Sequence, residues 1–392
     1  MRPPGVAGEL ARAARPLGVS DVQVYLADLQ QRHLAPLATA DGRTPDVLLI
    51  DATLAGRAYQ TITVQSSRTD GAHLLWIPLV DGTERLGVLG LAVPDVSEPM
   101  MVRYRTLASL AGMLIAGKSS YSDTYLQAQR TTEMAVQAEL IWAFLPPRTF
   151  ATPEVVVTAT LEPAYEAGGD AFDYSLLGNR LHVSVFDALG HDLAAGLLAS
   201  VCLASCRSSR RAGGSLAAVV ARADHAIASQ FGESRFVAAL LCDLDLVIGL
   251  LRWIPCGNPA PLLIRGNRTV IELDRRPQPP LGLVGVMNRQ LQGVYDVEAA
   301  AVECTEKLEP GDRLLLYTDG VTEGRAADGV PFGSERLADF IIRHSSVGLP
   351  GPETMRRLNR AILDYQHGRL RDDATAILVE WKPDRPERKL LP

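Results

Sequence analysis

Cysteine is scarce and comes late. The 392 residues hold five, Cys202, Cys206, Cys242, Cys256 and Cys304, with no Cys-x-x-Cys pair and none in the first 201 positions. That excludes a disulfide framework and a thiolate zinc site, and it denies the N-terminal half a thioether-linked chromophore. Cys202 and Cys206 stand one helical turn apart and read as small core residues. Lysine is rarer still, with four among 39 basic residues, and no block or stripe of positive charge breaks the net charge of -6. A nucleic-acid surface would show such a stripe. No uncharged apolar run reaches the ~20 residues that span a bilayer. The opening MRPPGVAGEL lacks the apolar core of a signal peptide. These absences point to a cytoplasmic protein with neither membrane nor nucleic acid as partner.

What is present is ample apolar residue, 47% of the chain, enough for two or three globular domains. His73–Val80 and Leu86–Val93 alternate as strands around Asp81-Gly82-Thr83, which predicts an antiparallel hairpin. A helix follows from Glu98, with apolar positions at Met100, Tyr104, Leu107, Ala111 and Leu114. The same register continues through Lys118, Tyr121, Tyr125, Ala128, Thr132 and Ala135, and ends before Pro146-Pro147. It predicts one long helix whose seam either packs on its own domain or pairs with a second chain as a homodimer. From Val155 the pattern turns to strands (155–159, 181–186, 236–246, 248–255, 313–318, 375–381) and helices (191–207, 215–230, 335–344, 352–367). That is an α+β pattern, with sheets stacked under helical layers. The boundaries expected are 1–118 for an N-terminal domain, 119–147 for a helical linker, 148–382 for a second domain and 383–392 for a frayed tail.

Carboxylates gather at the ends of the apolar runs. Asp170 follows Gly168-Gly169, Asp187 closes LHVSVFD, Asp319 closes LLLYTDG, and Asp372-Asp373 open DDATAILVEW. Alternation along 181–187 puts Asp187 on the face of Leu181, Val183 and Val185, and along 313–319 it groups Asp319 with Leu315 and Tyr317. Such aspartates either cap turns or share a cation, because an unpaired buried carboxylate costs several kcal/mol. Oxygen donors without histidine or thiolate select magnesium or manganese over zinc.

The string GGDAF is one letter from the GGDEF signature of diguanylate cyclases, but Ala171 replaces the glutamate and nothing in Tyr121–Gln129 supplies that class's upstream aspartate. The string continues as GGDAFDY, and in that form it resembles the GGDxxDY motif of bacterial PPM-type serine/threonine phosphatases, the branch named after sporulation stage II protein E. Phe186-Asp187-Ala188-Leu189-Gly190-His191, Cys256-Gly257-Asn258-Pro259-Ala260-Pro261, Tyr317-Thr318-Asp319-Gly320-Val321-Thr322-Glu323 and Asp372-Asp373-Ala374-Thr375 follow in the family's order, so the resemblance covers about 150–382.

The resemblance implies an αββα sandwich and a two-ion site for Mn2+ or Mg2+. Asp187 would bridge both ions, with the Ala188 carbonyl, Asp170, Asp319 and Asp372 completing the set. Asp173, Asp373 and Gly169 would orient these ligands. Leu189, Asp192, Asn258 and Ala238-Ala239 depart from the usual pattern, and His191 is a candidate acid or a helix-start packing residue. The implied activity is dephosphorylation of a phosphorylated STAS-type anti-sigma factor antagonist. The alternative is a pseudophosphatase that binds a partner without turnover. Asp51-Ala52-Thr53-Leu54-Ala55-Gly56, the hairpin and the following helix resemble a GAF domain, which would hold a small ligand or none and control the phosphatase.

Overall fold

A computed structural model describes residues 5–39, 42–69, 72–266, 268–284, 302–346, 348–368 and 370–383. The expected tail lies outside them from 384 onward. Contacts divide the chain into two units, Met1–Glu133 and Met134–Pro392.

The first unit runs α1 (Val6–Ala14), β1 (Asp21–Ala27), β2 (His33–Pro36), β3 (Leu48–Leu49), α2 (Leu54–Thr61), β4 (Gln65–Thr69), β5 (Ala72–Asp81), β6 (Glu84–Val93), α3 (Glu98–Ser119) and α4 (Asp123–Gln129). Its sheet has the order β3-β2-β1-β6-β5-β4. The expected hairpin is β5 with β6, and Asp81 opposite Glu84 leaves Gly82-Thr83 as the two-residue turn, with Gly82 at φ +57. Alternation gives the sheet two apolar faces. Val22, Val24, Leu26, Ile77, Leu89 and Leu91 pack with residues of α1 and α3. Tyr25, Ala27, Trp76 and Val88 pack with Ala55, Ala58 and Tyr59 of α2.

The single long helix is not what forms. α3 stops at Ser119, α4 covers Asp123–Gln129, and α5 (Val136–Phe144) starts anew. The Ser119 and Ser120 hydroxyls donate to the carbonyls of Ile115 and Gly117, a local bond that competes with the helical ladder. The proposed seam is spent inside its own unit: Tyr104, Leu107, Ala111 and Tyr125 are buried against the sheet, with Met100 and Ala128 beside them, while Leu114 and Tyr121 are exposed. Three-four spacing marks a buried stripe without saying what buries it.

The second unit opens with α5 and β7 (Thr149–Ala151), then β8 (Val155–Glu162), β9 (Asp170–Leu177), β10 (Arg180–Ala188), α6 (Leu193–Arg211), α7 (Leu216–Phe231), β11 (Val237–Asp245), β12 (Leu250–Cys256), β13 (Leu262–Arg265), β14 (Thr269–Glu272), β15 (Cys304–Lys307), β16 (Arg313–Tyr317), α8 (Asp319–Glu323), α9 (Gly333–Ser346), α10 (Gly351–Tyr365) and β17 (Ala374–Trp381). Two antiparallel sheets result, ordered β15-β12-β11-β10-β9 and β14-β13-β16-β17-β8-β7. On β13, β16 and β17 the side chains split by parity. Leu262, Leu315, Tyr317, Ala376 and Leu378 meet Leu337, Ile341, Leu358 and Ile362 of α9 and α10. Leu263, Leu314, Leu316, Ile377 and Val379 join the core shared with the first sheet and with α6 and α7. The fold is the expected α+β sandwich of two sheets under helical layers. Both ends of the α6 sequence are fixed locally: Asp192 accepts from Ala195 N at 2.9 Å as its N-cap, and Arg210-Arg211 sit in its last turn.

Candidate active site

Strand register brings the first two aspartates together. β9 and β10 pair so that Asp170 is directly opposite Asp187 on one face, an arrangement that like charges resist. Asp170 is 1% exposed, and the Thr318 hydroxyl donates to its Oδ2 at 2.7 Å while accepting from Thr375 N at 3.0 Å. Thr318 was not foreseen as a site residue. It precedes Asp319 at the end of β16, and it ties β9, β16 and β17 into one corner.

Asp373 organises the backbone of that corner. Its Oδ2 accepts from Gly168 N, Gly169 N and Asp170 N at 2.7, 2.8 and 3.2 Å, three successive amides wrapped round one oxygen. Its own N–H donates to Asp372 Oδ1 at 2.9 Å. The motif glycines allow this closeness. A Cβ on Gly169 would stand 2.5 Å from the Ala188 carbonyl oxygen, and one on Gly168 2.3 Å from that of His191. Gly320 is equally constrained, since its Cβ would fall 1.9 Å from the Asp373 carbonyl oxygen.

Electrostatics show which carboxylates are neighbours. Burial first, then Asp319, Asp372 and Asp373, pushes the Asp187 carboxyl from 3.8 to about 7. Asp319 is raised by burial, then by Asp372 and Glu323. Asp170 is raised well above the ordinary range by burial, then by Asp187 and Asp373. Asp373 is raised by burial, against the pull of its three amides. Among the described residues no three such side chains already close on one point. They form a mutually repelling group whose charge a divalent ion would relieve. The donors are all oxygen, which fits magnesium or manganese.

Two expectations change. Asp173 is three residues from Asp170 on one strand, so it faces the other way. There it takes Arg207 at 2.7 Å and Arg210 at 3.0 Å, pinning α6 to the sheet, and it does not orient the carboxylate group. Asp319 lies beyond the end of β16 as the first residue of α8, with Thr318 as N-cap, so strand parity does not place it. The departures from pattern have structural uses. Asn258 Nδ2 donates to the Val185 carbonyl at 3.3 Å, and Arg235 donates to the Leu189 carbonyl at 3.1 Å and lies 3.8 Å from Asp192. The His191 side chain is exposed, and its carbonyl accepts from Gln137 of α5 at 3.5 Å.

Among solved structures, the RsbU and RsbW domains of Rv1364c from Mycobacterium tuberculosis match 60% of this chain at 23% identity and a TM-score of 0.50; the match spans 62% of that chain, less than two thirds of its length. The SiaA-PP2C domain of Pseudomonas aeruginosa matches 58% of this chain and 86% of its own at 22% identity, TM-score 0.49. The PP2C phosphatase domain of SpoIIE from Bacillus subtilis, with a fragment of its regulatory domain, matches 60% and 66% at 16% identity, TM-score 0.47. Residues 178–382 match the family described as Stage II sporulation protein E (SpoIIE), a span that includes Asp187, Asp319 and Asp372 and more than half of the sequence. The chain therefore belongs to the family of Stage II sporulation protein E (SpoIIE).

Proposed function

We propose that this protein is a metal-dependent protein serine/threonine phosphatase. The observation that carries the reading is the meeting of Asp187 with Asp170 across β9 and β10 and with Asp319, Asp372 and Asp373, which together with burial hold its carboxyl near 7. In this reading Asp187, together with Asp170, Asp319, Asp372 and the Ala188 carbonyl, would hold two ions of Mn2+ or Mg2+. Asp373 and Gly169 hold the 168–170 backbone in place, and Thr318 orients Asp170. Ions held there would supply a nucleophilic water at neutral pH and neutralise charge on a phosphoryl group.

The substrate we propose is phosphoserine or phosphothreonine on a small regulatory protein of the STAS-type anti-sigma factor antagonist class, in the cytoplasm. Family membership supports this. The first unit would be a GAF-like regulatory domain. A homodimer belongs to this reading without a continuous seam; among the described residues the outward side of α3 offers a surface for pairing, where Val102, Leu110 and Met113 are more than half exposed.

The test is turnover by the full chain of an aryl phosphate and of a phosphothreonine peptide, with Mn2+ and with EDTA, and of GTP as a control. Release of phosphate from both esters, abolished by EDTA, is the expected result. No release at any metal concentration would leave a binding module instead.

A further inference from the structure

Beside Asp319 a groove of about 320 Å³ opens between the 255–260 loop, the 272–277 segment and the start of α8. Its charged lining is uneven. Among the described residues, Glu272, Asp274 and Glu323 line it together with Asp319, against one cation, Arg275. None of Glu272, Asp274 or Glu323 has an ion-pair partner among the described residues. Arg275 is drawn back to the wall, where its Nη1 donates to the Asp274 carbonyl at 2.7 Å and its guanidinium lies 5.8 Å over the Trp253 ring.

A second observation marks the groove as a binding place. Asn258 lines it and is 6% exposed. Its Nδ2 is committed to Val185 O at 3.3 Å, which leaves Oδ1 without a protein partner among the described residues. Asn258 offers an acceptor in the lining of a groove with three unpaired carboxylates, a lining that suits donors carrying positive charge. Pro259, Ala260 and Leu273 supply apolar wall for an aliphatic stem.

We infer that this groove holds a lysine or arginine side chain of the phosphoprotein, adjacent in sequence to the phosphorylated residue. The inference rests on the phosphatase reading, since Asp319 is the shared wall between the groove and the reacting phosphoryl group. Asn258 Oδ1 accepts from the ammonium or guanidinium head, and Glu272 and Glu323 balance its charge. Asn258 thereby serves two ends, because the amide that accepts the substrate also fixes β10 two residues before Asp187.

The experiment measures kcat/KM for phosphothreonine peptides identical except for Lys, Ala or Glu at the positions flanking the phosphothreonine. It is run with the full chain in Mn2+, and an aryl phosphate serves as a reference without flanking residues. The lysine peptide should exceed the glutamate peptide by roughly three- to tenfold, the scale of partly exposed ion pairs, and the ratio should shrink in high salt. Glu272→Lys should reverse the ratio, and Glu272→Gln should bring it toward one. Because the ratio is taken within each variant, altered expression or total activity does not mimic the effect. Turnover of the aryl phosphate with no lysine preference in the wild type, or an unchanged ratio in Glu272→Lys, overturns the groove assignment while the phosphatase reading stands. No turnover of any ester overturns both.

Discussion

Replacing Asp187 by asparagine will lower ester hydrolysis by roughly a thousandfold, the loss of the several kcal/mol that a bound metal contributes, and will make the metal-free protein more stable at pH 8. The second half follows from the sign of the shift. The carboxyl is raised from 3.8 to about 7, by burial first and then by Asp319, Asp372 and Asp373. An unfolded chain releases this proton near pH 4, while the folded one holds it until about pH 7. The stability tied to the proton is therefore complete below pH 4 and is lost as pH rises through 7. At about 1.4 kcal/mol per pH unit the cost above pH 7 is on the order of 2–4 kcal/mol. Asparagine removes most of that cost, so melting of the EDTA-treated protein should rise by several degrees at pH 8 and change little at pH 4. A variant that keeps wild-type turnover, or that melts lower than wild type at pH 8 without metal, would show that Asp187 does not sit at the centre of the charge cluster.

Asp373→Ala should be among the most destabilising single changes in the second unit. It leaves the N–H groups of Gly168, Gly169 and Asp170 without their common acceptor in a buried corner. Each such donor costs about 1–3 kcal/mol. With partial relief from water the sum is still roughly 3–5 kcal/mol, or about 10 °C in Tm for a unit of this size. Asp373→Asn keeps an acceptor oxygen and should fall much less, while slackening the repulsion on Asp187. Thermal melts of the two variants in EDTA separate these outcomes. Equal melting of Asp373→Ala and wild type would mean that the amides have other partners.

The sandwich was legible because its strands are long, apolar and bounded by motif residues. β10, β12 and β17 fall within a few residues of where alternation puts them. The aspartates stood out in the sequence for a related reason, since each one ends, opens or adjoins an apolar run. Asp173 belongs to the same motif but not to the same face of its strand: an odd offset of three along β9 turns it toward Arg207 and Arg210. Thr318 and the three-amide role of Asp373 were not legible, because they join residues separated by 57 to 205 positions. The linker failed for a physical reason too. Apolar spacing records that a helix face is buried, and it runs on unchanged across the breaks between α3, α4 and α5.

The central claim is that Asp170, Asp187, Asp319 and Asp372 together hold divalent cations. Calorimetric titration of Mn2+ into the metal-stripped full chain at pH 8, beside the same titration of Asp187→Asn, addresses it directly. The expected result is two ions bound per chain by the wild type and loss of that binding in the variant. No saturable uptake by the wild type, or the same two ions bound by Asp187→Asn, would contradict it.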